Sequence, residues 1–127
     1  MLRNSSQEQD DFRALDDAIL ERLTDKEREA AVVYLDMQLK PPGPVSIASI
    51  DLQLDTPYVV AFIDRRPGAN WMHPCRYLFI DPATRKITSQ ESDRPPVFGL
   101  LPPTWRIVWR AAGVEDWRLF PISRSHS

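Results

Sequence analysis

The chain has 127 residues, a net charge of −2 and 43% apolar residues, which is the profile of a single globular domain. A surface that binds nucleic acid usually carries a basic excess, so these totals weigh against such a partner. The single cysteine excludes a scaffold built on internal disulfides. No apolar run approaches the roughly 18 residues that a membrane-spanning helix needs.

We therefore expect one domain over residues 1–127, with fraying ends at 1–7 and 123–127. The first fifteen residues are polar and acidic and lack the basic and apolar regions of a signal peptide. Cytoplasmic residence, without a membrane partner, is the corresponding expectation.

Two N-terminal helices are predicted, because Ser5-x-x-Glu8 and Thr24-x-x-Glu27 both match the capping box that opens a helix. The second helix, over residues 25–39, is charged in its first turns and then apolar on nearly all sides, which predicts that it is largely covered by the rest of the fold. Acidic residues 25, 27 and 29 are expected on its solvated face. The proline-rich segment 41–44 ends this helix. The first helix has an apolar stripe at spacings of three and four, formed by Phe12, Leu15, Ile19 and Leu23.

From residue 45 every second residue is apolar, which predicts a strand over 45–54. The apolar positions shift from odd to even numbers midway, which predicts a bulge near Ala48 and Ser49. Residues 58–63 and 77–80 are apolar at both parities, as in strands with neighbours on both faces. Shorter strands are predicted at 86–88, 105–110 and 117–122. The connector 89–103 is expected to be ordered, with its apolar middle packed on the body. The fold class is therefore α+β: N-terminal helices packed on one antiparallel sheet of four to six strands.

One segment resembles a known class of small domains. In residues 77–87, YLFIDPATRKI, a strand ends in Asp81 and turns through Thr84 into the next strand. Together with the order of helix, proline-rich break and strands, this resembles PepSY and cystatin-like domains over about residues 26–90. The resemblance implies a sheet that wraps one helix, and an association with peptidase propeptides and inhibition. Arg85 stands where the family has a glycine, so the turn departs from the family's pattern there.

The loop of residues 64–76 joins the two most apolar strands and is the predicted recognition site. Guanidinium groups bind carboxylates bidentately, and Trp and Arg often anchor interfaces. We predict a non-catalytic module, of accessory, inhibitory or immunity type, that binds a protein or peptide through this loop and the sheet edge. No cofactor or metal is expected, and a homodimer stays open. The predicted binding residues are Arg65, Arg66, Asn70, Trp71, His73 and Arg76. In the alternative interpretation, the loop has a purely structural role: Asp64 and Asp81 neutralise the arginines, and Trp71 covers the core.

Two other functions remain as alternatives. The first is a cysteine-dependent enzyme that uses Cys75 with His73, because a nearby imidazole can activate a thiol. The second is a small-molecule carrier with a pocket between helix and sheet, lined by Trp105, Trp109 and Tyr34. The tryptophans 105, 109 and 117 are interpreted either as core or as a stacking platform.

Overall fold

A computed structural model describes residues 5–69 and 72–124, with side chains from residue 12 onward. The protein is α+β: an open five-stranded antiparallel sheet of order β6-β5-β4-β1-β7, a separate two-stranded ribbon β2-β3, and two helices. Residues 1–4 and 125–127, parts of the ends expected to fray, lie outside the described residues. The elements are α1 Ser5–Glu21, α2 Asp25–Ala30, β1 Val32–Lys40, β2 Gly43–Pro44, β3 Gln53–Leu54, β4 Tyr58–Asp64, β5 Cys75–Ile80, β6 Ile87–Ser92, β7 Trp105–Arg110 and a 3₁₀ helix Asp116–Arg118.

The break between the two helices is confirmed. Thr24 caps α2 by accepting a hydrogen bond from the Glu27 backbone, and the Glu27 side chain accepts one from the Thr24 backbone. The Ser5 and Glu8 side chains of the other predicted capping box lie outside the described side chains. Of the predicted stripe on α1, Leu15, Ile19 and Leu23 are buried, whereas Phe12 is exposed beneath the guanidinium of Arg106.

The second helix was predicted to run to residue 39, and that prediction is wrong. The helix ends at Ala30, and residues 32–40 form the central strand β1. Residues 31–35 are completely buried, because β1 lies between β4 and β7 and both its faces are covered. An apolar run without alternation fits such a strand as well as it fits a buried helix, and β-branched Val32 and Val33 favour the strand.

The predicted central strands are confirmed as β4 and β5, which pair antiparallel with each other. β6 continues the meander from the turn after Asp81, where the Arg85 amide donates to the Asp81 carbonyl at 2.6 Å. Arg85 has a φ of 64°, the left-handed conformation that a glycine adopts easily. The arginine at this turn therefore holds a backbone conformation that is uncommon for a residue with a side chain. The wrapped sheet that the resemblance implies stays a prediction.

Residues 45–54 do not form one bulged strand. The chain instead reverses at Ala48 and Ser49, whose φ angles of 53° and 58° are both positive, and the Ile50 amide donates to the Ile47 carbonyl. Positive φ at both central residues is typical of the tight type I′ turn of a hairpin. The parity change in the sequence therefore marks a hairpin turn rather than a bulge.

The sheet has two differently covered faces. On the helix face, Leu15 and Ile19 of α1 pack against a cluster that includes Val33, Leu35 and Leu78. Asp16 of α1 also accepts two hydrogen bonds, at 2.6 and 3.1 Å, from an arginine of β7. The other face, here called the aromatic face, is covered by loops and by the C-terminal segment, residues 111–124. Its rings are Tyr34, Tyr58, Phe62, Tyr77, Phe79 and Phe120.

β7 confirms the strand predicted at 105–110, but it contains a register shift. Ile107 pairs with Tyr34 whereas Trp109 pairs with Val33, so one extra residue of β7 is accommodated between them. Trp105 therefore belongs to the aromatic-face cluster, while Trp109 packs against the helix-face cluster. The strand predicted at 117–122 is wrong, because that segment holds part of the 3₁₀ helix and one isolated bridge.

The connector 89–103 is only partly as predicted. Leu101 is buried and Val97 packs against the aromatic-face cluster, but Phe98 and Leu100 of the apolar middle are exposed. The Leu101 amide donates to the Pro121 carbonyl at 2.8 Å, and the Ser123 amide donates to the Leu101 carbonyl at 2.7 Å. These bonds hold the connector beside the C-terminal segment and bring exposed apolar side chains of both segments together.

Candidate functional site

The loop 64–76 leaves β4 at Asp64 and enters β5 at Cys75. The Asp64 carboxylate accepts a hydrogen bond from the Arg66 amide at 3.0 Å, which closes the first turn of the loop. Gly68 follows with a φ of 90°, and a Cβ there would lie 3.0 Å from Cγ of Arg118. Glycine is therefore needed both for the backbone conformation and for the close approach of the C-terminal segment. Asn70 and Trp71, two of the predicted binding residues, lie outside the described residues.

On the helix face, the loop arginines converge on one carboxylate. Glu27 of α2 accepts hydrogen bonds from Nε of Arg65 at 2.9 Å and from the Arg76 guanidinium at 2.7 and 3.1 Å. Arg76 also donates to the Arg22 carbonyl at 2.6 Å, and Arg65 pairs with Glu91 of β6. Glu27 was expected on a solvated face, but its side chain is only 2% exposed. The cluster therefore joins helix, loop and sheet.

The electrostatics of Glu27 follow from these contacts. Burial by itself would raise the pKa of Glu27, but hydrogen bonds from Arg76, from the Thr24 backbone and from Arg65 outweigh it. The pKa of this carboxyl is lowered, so the group is ionised at neutral pH. Arg65 and Arg76 thus serve an internal ion cluster, and Glu27 and Glu91 neutralise them rather than the expected Asp64 and Asp81. Of the three loop arginines, Arg66 alone has an exposed side chain without a carboxylate partner among the described residues.

On the aromatic face, the loop is fixed by a second buried carboxylate. Oδ1 of Asp64 lies 2.8 Å from Nε2 of His73, and both side chains are buried. Oδ2 of Asp64 is buried too and has no hydrogen-bond partner among the described residues. Burial raises the pKa of Asp64, and the contact with His73 offsets only part of that effect. His73 is thus part of the loop's interior and not of its surface.

Cys75 is a buried thiol held by backbone carbonyls. Its Sγ donates to the carbonyl oxygens of Ser92 at 3.4 Å and Arg94 at 3.2 Å. Burial, followed by the negative charge of Asp64, raises the pKa of Cys75 to about 12. A thiol needs the opposite shift to act as a nucleophile at neutral pH. The imidazole of His73 faces Asp64 and the thiol faces two backbone carbonyls, and the cysteine-dependent enzyme stays an untested alternative.

The proposed aromatic pocket between helix and sheet is not assembled. Tyr34 and Trp105 belong to the aromatic-face cluster, whereas Trp109 packs on the helix face and donates to the Arg28 carbonyl. Trp117 lies apart in the 3₁₀ helix and is exposed. The structure therefore places Trp105 in the core, and the three tryptophans do not form a common platform.

A groove that the sequence analysis missed lies where the loop, the connector and the C-terminal segment meet. It has a volume of about 300 Å³. Phe98 of the connector is 71% exposed and Trp117 of the C-terminal segment is 70% exposed. The indole of Trp117 donates to Glu115 at 2.9 Å, and Nε of Arg118 donates to the Pro67 carbonyl at 2.9 Å. The lining residues are Gly68, Ala69, Pro95, Phe98, Gly99, Trp117, Arg118, Leu119, Phe120 and Pro121.

The floor of this groove is anchored to the sheet. Phe120 makes edge contacts with the rings of Tyr34 and Phe62, and its amide donates to the Tyr34 hydroxyl at 2.9 Å. The Tyr77 hydroxyl donates to the Arg94 carbonyl at 2.7 Å, next to Pro95 of the lining. The signal in the sequence was the apolar stretch 97–101 between two proline pairs, since prolines hold a chain extended without a sheet partner.

No group of three or more His, Cys, Asp or Glu side chains within residues 12–69 and 72–124 is arranged to hold a metal ion. In the part of the chain that the structure describes, no helix combines the length and apolar character needed to cross a membrane. Comparisons with protein-family models, with curated proteins and with solved structures gave no match to this chain.

Proposed function

We propose that this protein is a non-catalytic binding module that recognises a protein or peptide partner, with the groove between Phe98 and Trp117 as its contact surface. The proposal keeps the partner class expected from the sequence and the loop 64–76 as one wall, through Gly68. It moves the contact from the loop arginines to the aromatic side chains beside them, because Arg65 and Arg76 are held by Glu27.

The observation that carries the proposal is the exposure of two large aromatic side chains, Phe98 and Trp117, that line one groove. Exposed rings in water lose the benefit of burial, roughly 25 cal/mol for each Å² of apolar surface that a partner could cover. Trp is also enriched among the residues that dominate binding energy. The groove floor is anchored by Phe120, so little conformational entropy would be lost when a partner binds.

The test compares affinity capture from lysate of the source cells by the wild-type protein, a Phe98→Ser/Trp117→Ser variant and a Leu39→Ser control. Leu39 is 56% exposed on β1 and does not line the groove. We expect quantitative mass spectrometry to find a partner that the wild type and the control retain and the groove variant loses. The purified partner should then bind the wild type directly. Equal recovery by all three proteins would remove the groove from the proposal.

The sheet edges offer a second surface for the same function. β6 and β7 are the outer strands of the sheet. An extended peptide can add to such an edge through backbone hydrogen bonds. β7 carries charged Arg106 and Arg110, which discourage unspecific pairing of edges. A proline at an outward-facing position of β7 would weaken partner binding if the edge takes part, and would leave it unchanged if the groove suffices.

A further inference from the structure

The groove continues past Trp117 into a second depression that carries positive charge. Gly68, Ala69, Trp117 and Arg118 line both depressions, and Arg66 lines only the second one. Phe98 and Phe120 line only the first depression, whereas Arg118 lines both and Arg66 adds a second guanidinium group to the second depression. A ligand that spans both depressions would meet aromatic rings and these two guanidinium groups.

The two arginines differ from the paired ones nearby. Arg65, which also lines the second depression, is held by Glu27 and Glu91. Arg66 and Arg118 have no carboxylate within 4.0 Å among the described residues. Nε of Arg118 is used by the Pro67 carbonyl, and its terminal amino groups have no hydrogen-bond partner in the described part of the chain. These guanidinium groups are thus available to donate hydrogen bonds to an anion.

The countercharge around these arginines is small. Glu115 lines the second depression, but its Oε2 accepts the indole N–H of Trp117. Asp64 attracts Arg118 electrostatically, but its carboxyl is buried beneath the loop and does not line the depression. Two guanidinium groups thus face one exposed carboxylate, which leaves a local positive excess on a chain whose net charge is −2.

We infer that the partner segment is an extended acidic peptide, which places an apolar side chain between Phe98 and Trp117 and a neighbouring carboxylate on Arg66 and Arg118. Successive side chains of an extended peptide point to opposite sides at about 3.3 Å per residue, so an apolar residue and an acidic residue can reach both depressions at once. A guanidinium fork matches a carboxylate in a bidentate geometry. This inference depends on the proposed function, because it specifies the ligand of the same groove.

The experiment uses a phage-displayed library of random twelve-residue peptides as the probe, selected against the full-length protein. The expected winners carry an aromatic or branched apolar residue within two or three positions of an aspartate or glutamate. Their affinity should fall at least tenfold for the Arg66→Gln/Arg118→Gln variant. It should fall by a smaller factor for Arg66→Lys/Arg118→Lys, which keeps the charge but loses the fork. The control is Arg85→Gln, an exposed arginine away from the groove, and it should bind as the wild type does.

The outcomes separate the two proposals. Winners without acidic residues, or winners that bind the Gln double variant as tightly as the wild type, would overturn the acidic ligand and leave the groove standing if they still need Phe98 and Trp117. A selection that yields no peptide dependent on Phe98 and Trp117 would overturn the peptide groove itself. Thermal unfolding of every variant identifies any that fail to fold, and the lysine variant then decides whether charge at these positions matters.

Discussion

Glu27 and Asp64 are both buried carboxylates at the same end of the sheet, but they lie on opposite faces and in opposite surroundings. Glu27 faces the helices and accepts hydrogen bonds from two arginines and a backbone amide. Asp64 pairs in register with Val32 and Cys75, residues of the aromatic-face cluster, and one of its oxygens has no partner among the described residues. The pKa of Glu27 is lowered, whereas burial raises the pKa of Asp64.

The difference separates the parts of the loop 64–76 by role. On the helix face, the loop is fixed by ion pairs between its arginines and Glu27, so these arginines contribute to the stability of the fold. On the aromatic face, the loop is held by Asp64, whose ionised form is disfavoured by burial. The exposed groove lies on this side of the loop. A loop that was predicted to serve recognition is thus held by ion pairs on the helix face, and on the aromatic face it forms one wall of the proposed binding surface.

The largest expected effect comes from breaking the Glu27 cluster. Among the described residues, Glu27→Gln leaves the largely buried Arg76 without a charged partner and Arg65 with Glu91 alone, and breaking a buried ion pair typically costs about 3–5 kcal/mol. Urea denaturation at pH 7 should show that loss in the free energy of unfolding. Glu29→Gln, on the same helix but exposed, is the control and should change stability by less than about 0.5 kcal/mol.

The pH dependence of this variant checks the same contacts. Because the pKa of Glu27 is lowered in the folded state, its contribution is complete above the ordinary value of 4.5 and is lost as pH falls through the lower folded value. The difference in the free energy of unfolding between the wild type and Glu27→Gln should therefore become smaller below about pH 4.5. A gap under about 1 kcal/mol at pH 7 would show that the arginines find other partners.

These contacts also explain how far the sequence could lead. The Thr24 capping box and the doubly apolar strands β4 and β5 are local patterns, and both were predictable. The same two-sided pattern in residues 31–35 was assigned to a helix, because a short buried run does not distinguish the two periods. Glu27 lies 38 residues from Arg65 and 49 from Arg76, so no local spacing reveals that they pair.

The groove could not be predicted from the sequence either. Phe98 and Trp117 come from segments outside the sheet, and the bonds between Leu101 and residues 121 and 123, together with packing in the aromatic-face cluster, bring those segments together. Alternation correctly predicted β7, but the extra residue before Trp109 turned that side chain to the other face. Hydrophobic patterning therefore predicts strands well, while register shifts and long-range ion pairs depend on the assembled fold.

A smaller pH dependence of stability, opposite in sign to that of Glu27, is expected from Asp64. Because the pKa of this carboxyl is raised in the folded state, ionisation opposes folding, and the wild type should gain stability as pH falls from the folded value toward 3.8. Asp64→Asn removes that gain and should differ from the wild type by less than about 2 kcal/mol at pH 7.

The measurement is the free energy of unfolding between pH 7 and pH 4, with the exposed Asp17→Asn as control. Because Oδ1 of Asp64 contacts Nε2 of His73 at 2.8 Å, the difference between the two curves also contains any change in that contact. An advantage of the wild type over Asp64→Asn that shrinks on acidification would contradict the raised pKa.

The smallest effect concerns Cys75, which lies in register with Asp64. A thiol with its pKa raised to about 12 holds very little thiolate at pH 7, and burial hinders the approach of a reagent. Alkylation by iodoacetamide should be at least about a hundredfold slower than for free cysteine, and should reach the free rate in denaturant. Cys75→Ser should leave partner binding unchanged, because the thiol does not line the groove. Rapid alkylation of the native protein at pH 7 would instead reveal an accessible thiolate and restore the enzyme hypothesis.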